Sequence, residues 1–414
     1  MIEDKPVAIV LGGTNPHKAV IQSLKTRGYY TILVDYLENP AAKAVADVHI
    51  RESTLDLEVV LQIAKENNAA LVIAICIDQA NATACYVAEK LGLPIPYTYQ
   101  TAVIATDKAK MKKRMAEYAI PTSKYYAVTN LDIPEFDLQF PVVVKPADTT
   151  GSKGVKKAFN FEEINKYLID ALRLSRTNTA IVEEFKEGLE VQIDCFVRDK
   201  VVHILMLNQK NKVALDGDFE LQSVGSTIPA QISDKALDNI KIIANKLVEA
   251  FDFDNTPFFM QTIVSGDEVN VIEFAPRIGG GLSYRIINLY SGFDTLNHAL
   301  DFYVNDEKEL EPVKRDFYFS TNNLYTESGT FGDLEGYEEL LKDGVIEEFY
   351  RYKTSGTIIG SQLSSNNRVG AFIVKAETKH ELHEKMSFAY SNIRVFDTDG
   401  NAMIVRNLGN IGND

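Results

Sequence analysis

The sequence predicts an α/β protein of several parts, and three observations predict it. Apolar runs of strand length alternate with helix-length amphipathic segments through the first hundred residues, the pattern of an open parallel sheet with helices on both faces. A second pattern, FFMQTIVSGDEVNVIEF from Phe258 to Phe274, reads as a β-hairpin and runs into a glycine-rich loop. The chain is also too long, at 414 residues, for one compact core, so about two to four domains or subdomains are expected.

Composition narrows the function classes. The chain is 45% hydrophobic and 24% charged, ordinary values for a folded α/β protein. Its net charge of −15 excludes non-specific nucleic-acid binding, which needs a basic field, but leaves room for a local basic pocket. Cys76, Cys85 and Cys195 form no cluster and have no zinc spacing; they are expected reduced and packed, as in a cytoplasmic protein. No apolar run is long enough to cross a bilayer, and no membrane partner is expected. The opening MIEDKPVAIV passes at once into a strand and does not read as a signal peptide.

In order, Pro6 to Leu11 is a buried strand. Gly12-Gly13-Thr14-Asn15-Pro16 turns into a helix through Lys25, and Thr31 to Val34 is the next strand, ending in Asp35. This βαβ start is similar to a dinucleotide-binding one, but the full G-x-G-x-x-G spacing is absent. It reads as a Rossmann-like layer used for something other than NAD. A helix over Leu55 to Asn67, a strand over Ala70 to Ile77 and a helix over Ala80 to Leu91 follow. Thr101 to Tyr118 reads as one charged helix carrying Lys108, Lys110, Lys112, Lys113 and Arg114. Most of these belong on a solvated face; Lys108 is the candidate to point at a phosphate.

Phe140 to Lys145 is a strand ending in a lysine. The loop Asp148 to Val155, DTTGSKGV, is small and polar; it suits wrapping phosphates with backbone N–H groups, or is a plain connection. It is not a Walker A loop. A helix over Phe161 to Leu174 precedes the strand Ala180 to Phe185, which ends in acidic residues. The strand Glu190 to Val197 has Glu190, Gln192 and Asp194 at alternate positions. They form either a rim facing water or a strand end that reads an adenine edge and a ribose. Val201 to Leu207 is its expected partner strand. Lys235 to Phe251 is an amphipathic helix, Leu282 to Tyr303 resumes helix, and Asn305 to Arg315 is a charged link. The remainder mixes strands and helices around turns at Ser328-Gly329, Asp343-Gly344 and Asp399-Gly400. His380 and His383 are three apart, on a helix surface, and no nucleophile–base pattern stands out.

The hairpin concentrates the chemistry. Alternation puts Val269, Val271 and Glu273 on one face and Asn270, Ile272 and Phe274 on the other. Gln261 and Glu273 each sit among apolar neighbours, twelve positions apart. A turn at Ser265-Gly266-Asp267 would set them side by side as two hard oxygen donors, which suits Mg²⁺; an ordinary hairpin with a surface glutamate is the other reading. Arg277 follows, and Gly279-Gly280-Gly281 lets backbone approach an anion closely.

Taken in order, Asp107-Lys108, PVVVKP (Pro141 to Pro146) with its Thr/Gly/Ser loop, EGLE (Glu187 to Glu190), the hairpin and EFAPRIGGG (Glu273 to Gly281) resemble the ATP-grasp superfamily of carboxylate–amine ligases. Leu37 to Asp47 is similar to purine-pathway carboxylases of that superfamily, and Ser364 to Val374 to the tail of L-amino-acid ligases. The resemblance implies an ATP-grasp fold with a Rossmann-like pre-ATP-grasp domain (1–105), a linking helical segment (106–140), a lid subdomain (141–207), a catalytic core (208–305) and a C-terminal α+β subdomain (306–414). It implies ATP and Mg²⁺, or Mn²⁺, as cofactors, small-molecule carboxylate and amine substrates, and a homodimer. Lys108 and Lys145 would neutralise phosphates, and Thr149, Thr150, Gly151, Ser152 and Gly154 would close over them. Glu183, with Glu184, Phe185 and Lys186, would hold adenine, and Glu190 the ribose. Gln261 and Glu273 would hold the metal, and Arg277 would steady an acyl phosphate. Gly279, Gly280, Gly281, Ser283 and Arg285 would face the substrate. Two positions depart from the pattern: Gln261 stands where Glu is usual, as in carbamoyl-phosphate synthetases, and Ala275 where Asn is usual. The implied activity is acyl-phosphate formation and coupling to an amine, with release of ADP and phosphate. A carboxylase using carboxyphosphate and a non-catalytic nucleotide-binding protein are the alternatives.

Overall fold

The computed structural model describes residues 5–131, 133, 137–149, 153–215, 218–306, 308–311, 316–360 and 367–404. The chain runs β1 (Val7–Leu11), α1 (Asn15–Thr26), β2 (Tyr30–Val34), β3 (Val48–Ile50), α2 (Leu57–Glu66), β4 (Ala69–Ile73), α3 (Asp78–Leu91), α4 (Tyr99–Thr106), α5 (Lys108–Glu117) and β5 (Tyr125–Val128). It continues through β6 (Val142–Pro146), β7 (Lys156–Ala158), α6 (Phe161–Leu174), β8 (Ala180–Glu184), β9 (Leu189–Arg198), β10 (Val201–Leu215), β11 (Asp218–Ile228), α7 (Asp234–Phe251), β12 (Thr256–Ser265) and β13 (Glu268–Ala275). Last come α8 (Ser283–Ser291), α9 (Thr295–Tyr303), β14 (Tyr318–Tyr325), β15 (Gly329–Glu335), α10 (Tyr337–Lys342), β16 (Glu348–Arg351), β17 (Ile358–Ile359), β18 (Arg368–Ala376), α11 (Lys379–Asn392) and β19 (Arg394–Asp397). These elements form two compact units. The first comprises Met1–Ala127, Ile193–Leu205 and Ser233–Val313, the second Val128–Gln192, Met206–Ile232 and Lys314–Asp414. Among the described residues no helix is long and apolar enough to cross a membrane.

The first unit opens with the parallel sheet β3-β2-β1-β4. Its strands read as continuous apolar runs because both faces are covered. Ile9, Leu11, Ile32 and Val34 pack with Val60, Leu61, Ala64, Ala84 and Val87 of α2 and α3. The intervening Ala8, Val10 and Leu33 pack with Val20, Ile21 and Leu24 of α1 and Leu296 and Leu300 of α9. Each fully buried leucine, isoleucine or valine stabilises the layer by about 1.5–3 kcal/mol before entropy is counted. The chain leaves β1 toward β2 on one side, while β4 joins on the other, so the strand order reverses at β1/β4. In such sheets that reversal opens a crevice beyond the strand ends.

Several elements differ from the sequence expectation. Strand β4 ends at Ile73 rather than Ile77. Thr101–Tyr118 is two helices, not one. Asp107 adopts an extended conformation, and its carboxylate accepts from the N–H groups of Ala109 (3.0 Å) and Lys110 (3.2 Å). An N-cap of this kind contributes about 1 kcal/mol and lets α5 begin afresh at Lys108. The Leu282–Tyr303 stretch is likewise divided: Gly292, at φ +73°, closes α8, and Asp294 caps α9. Lys112 is not on a solvated face. It is fully buried, with its ammonium 2.5 Å from Thr122 Oγ1 and 5.3 Å from the Tyr125 ring centroid.

In the second unit β6 pairs antiparallel with β7 and β8. A second antiparallel run has the order β10-β11-β14-β18-β16, and a small sheet has the order β17-β15-β19. Leu382, Met386 and Ala389 of α11 pack with Leu324, Phe372 and Val374 into its core. The rim reading of β9 is corrected: Gln192 and Asp194 are buried rather than facing water.

Candidate functional site

In the first unit β12 and β13 form the expected hairpin. Gly266 supplies the left-handed turn residue at φ +58°. Gln261 lies opposite Glu273, but not by simple alternation. The register runs Val264↔Val269, Ile263↔Asn270 and Thr262↔Val271, then shifts so that Gln261 meets Glu273. Ile272 is therefore the extra residue of a β-bulge. Glu273 consequently leaves the face of Val269 and Val271, where alternation had put it, and joins that of Gln261. Val269 and Val271 are buried, as are Met260 and Phe274 opposite each other, whereas Gln261 and Glu273 are half-buried. An unbulged strand would have driven the carboxylate into the apolar face, where an unpaired charge is costly.

Lys108, the first residue of α5, places its ammonium 3.3 Å from Glu273 Oε2. Arg277 is largely buried. Its Nε donates to Asp78 Oδ1 (2.5 Å), its Nη2 to Asp78 Oδ2 (2.6 Å) and its Nη1 to the Ile278 carbonyl (2.8 Å). Its guanidinium lies 5.0 Å from the Phe259 ring centroid. Burial by itself would lower the arginine pKa, but the charge and hydrogen bonds of Asp78 outweigh it and raise it. Gly279 is buried and Gly280 exposed. Gly281 takes φ +67°, and a Cβ at Gly280 or Gly281 would meet nothing within 4 Å. Ser283 is buried and donates to the Gly280 carbonyl (3.1 Å), and Arg285 lies half-buried in α8.

Three neighbours at the β1/β4 crevice were not foreseen. Asp78 opens α3. His17 is fully buried beneath the first glycine turn. Its Nδ1 accepts from the Thr14 N–H (3.2 Å) and lies 2.8 Å from Thr14 Oγ1. That leaves the ring proton on Nε2, 3.9 Å from Cys76 Sγ. Burial pushes His17 down to about 4 and the Cys76 thiol up. Gly12 is required here, because a Cβ would stand 2.7 Å from His17 Nε2. The available signal was an acidic residue opening a helix just past a parallel strand.

In the second unit Lys145 and Glu183 form a buried ion pair. The β6/β8 register, Val143↔Glu183 and Lys145↔Ile181, makes them diagonal neighbours on one face. The Glu184 carboxylate accepts from Lys186 (3.0 Å) and from the Gln139 N–H (3.3 Å). The Phe185 N–H donates to the Pro141 carbonyl (3.0 Å), and Lys157 Nζ sits 3.6 Å from the Phe185 ring centroid. Glu190 pairs with Lys212. Thr149 donates to the Lys153 carbonyl (3.0 Å). Gly154 has φ +77°, and a Cβ there would stand 2.8 Å from Leu174 Cδ1. Thr150, Gly151 and Ser152 lie outside the described residues.

The donor set decides what metal fits. Gln261 and Glu273 offer one amide and one carboxylate oxygen, and no group of three His, Cys, Asp or Glu residues among those described could hold a metal ion. This suits Mg²⁺, which keeps waters and takes phosphate oxygens, rather than an ion caged by protein alone.

Comparison with known proteins bears on the fold. Residues 106–281 match the family model of the phosphoribosylglycinamide synthetase ATP-grasp (A) domain. The carbamoyl phosphate synthase large chain of Clostridium acetobutylicum is 24% identical over 270 residues, 62% of this chain and 24% of that one. The phosphoribosylamine–glycine ligase of Thermococcus kodakarensis is 31% identical over 218 residues, 47% of this chain and 49% of that one. The chain thus spans about a quarter and about half the length of these two relatives. The L-amino acid ligase from Bacillus licheniformis superposes with a TM-score of 0.79 at 18% identity, covering 95% of this chain and 99% of that one. The fold is an ATP-grasp fold. Over residues 106–281 the chain is similar to the ATP-grasp (A) domain of the phosphoribosylglycinamide synthetase family.

Proposed function

We propose that this protein is an ATP-dependent carboxylate–amine ligase, activating a small carboxylate as an acyl phosphate and coupling it to an amine. One observation carries the reading: the bulge that sets Gln261 beside Glu273, with Lys108 on the carboxylate and Arg277 four residues on. In this proposal Glu183, the 184–186 segment and Glu190 serve adenine and ribose, while Lys145 and Lys108 neutralise phosphate oxygens. Mg²⁺ held by Gln261 and Glu273 would supply Lewis-acid stabilisation of the transferring phosphoryl group. Arg277 would place positive charge where the carboxylate attacks, offsetting the repulsion of two anions. Gly279 to Gly281, Ser283 and Arg285 would line the substrate. No protein nucleophile is required. The functional parts 1–105, 106–140, 141–207, 208–305 and 306–414, a homodimer and a cytoplasmic setting belong to the same proposal.

The test is phosphate release with MgATP over a panel of amino acids and amines, with bicarbonate arms. Turnover requiring both an acid and an amine supports the ligase. Turnover on bicarbonate alone supports a carboxylase, and ATP binding without turnover supports a non-catalytic protein. Glu273→Gln should lower turnover at least about 100-fold while circular dichroism stays unchanged; wild-type rates would remove the metal assignment.

A further inference from the structure

Asp78 is the residue at this site to which no role has yet been given. It reaches Arg277 from 199 positions away in the sequence. The topology explains how. Asp78 is the first residue of α3, just beyond β4, at the point where the parallel sheet reverses its order. Placed there, its charge is also favoured by the helix N-terminus. Its two oxygens grip Arg277 through Nε and Nη2, the side-on, two-bond geometry that fixes a guanidinium plane in direction as well as position. The Phe259 ring flanks the group, and the Ile278 carbonyl takes an Nη1 proton. A guanidinium side chain carries five N–H groups. Nε and Nη2 each give one to Asp78 and Nη1 gives one to Ile278, so one N–H remains on Nη1 and one on Nη2. With the Nε/Nη2 edge taken by Asp78, the Nη1/Nη2 end, the end-on fork, is the edge left to meet an anion.

The neighbours sharpen the point. Cys76 and His17, which lie near this pair, are both held neutral by burial. Asp78 is therefore the carboxylate in direct contact with Arg277, with Glu273 acting on it at longer range.

We infer that Asp78 is a positioning residue: it holds Arg277 so that the end-on fork of the guanidinium, and no other edge, faces the reacting anion. This inference rests on the ligase reading. It is not itself part of ATP binding, so its loss falls on the rate and on the affinity for the acid rather than on ATP.

The experiment is a double-mutant cycle on the full chain, using Asp78→Asn, Arg277→Gln and the double variant, with Asp78→Glu as the conservative control. Phosphate release is measured with MgATP and the best acid–amine pair of the wild-type panel, alongside ATP affinity and thermal unfolding. Asp78→Asn should lower kcat about 100-fold, the scale of a small misplacement, with the KM for ATP within about threefold. The double variant should be no slower than Arg277→Gln alone, and Asp78→Glu should recover most of the rate. Unchanged kcat in Asp78→Asn, or fully additive losses in the double variant, overturns the inference. If Asp78→Asn does not fold, the Asp78→Glu arm decides: a rate as low as that of Arg277→Gln in a folded Asp78→Glu protein also overturns it. A wild type silent across the whole panel removes the ligase reading and this inference with it, whereas an active wild type beside an unimpaired Asp78→Asn removes the inference alone.

Discussion

Two lysine–glutamate pairs, one in each unit, are made from the same two side chains and sit in opposite environments. Lys145 and Glu183 leave only 4% and 7% of their side chains exposed, against 12% and 31% for Lys108 and Glu273. The first pair is in close contact across paired strands, and the second is 3.3 Å apart at the edge of a helix start. In a dry setting each charge depends on the other, because separating them strands an ion in low dielectric. Near water a lysine and a carboxylate exchange partners at little cost. The dry pair therefore resists separation, and the wetter pair is the one that exchanges its partner more readily.

Three measurements test that contrast, from the largest effect on stability to the smallest. Lys145→Met should destabilise the protein by about 3–5 kcal/mol, read from the urea midpoint of unfolding. Adding Glu183→Leu should restore most of the loss; a double variant as weak as the single would mean that the pair is not the source. His17 is an intermediate case, buried with no counter-charge. Its folded pKa of about 4 lies below the ordinary 6.5, so the unfolded chain binds the proton more readily. The stability it contributes is complete above pH 6.5 and is lost as pH falls toward 4, by about 3 kcal/mol in all. His17→Gln should flatten that part of the pH–stability curve, and an unaltered slope would place the titration elsewhere. Lys108→Met should cost less than about 1 kcal/mol yet weaken MgATP binding; a loss as large as that of Lys145→Met would erase the distinction between the pairs.

The fold was largely legible in the sequence where pattern and physics coincide. Continuous apolar runs marked β1 and β2, and Gly266 marked the hairpin turn. The order of short motifs pointed to the superfamily. What escaped depended on events without a periodic signature. Asp107 breaks a helix that carries neither glycine nor proline, because a capping carboxylate competes with continuation. Lys112 hides among exposed lysines, since its burial depends on Thr122 and Tyr125, which pack against it from beyond the end of α5. The pairing of Gln261 with Glu273 was expected, but its cause was not: alternation alone set Glu273 with the valines. Asp78 was passed over because its partner lies far along the chain, where no local pattern reaches.

The bulge at Ile272 has a consequence for how such hairpins change over time. Removing that single aliphatic residue would substitute no donor and no charge, yet it would rotate Glu273 inward, away from the face it shares with Gln261. In this hairpin a one-residue deletion is equivalent to losing a functional group from that face, even with every polar side chain retained.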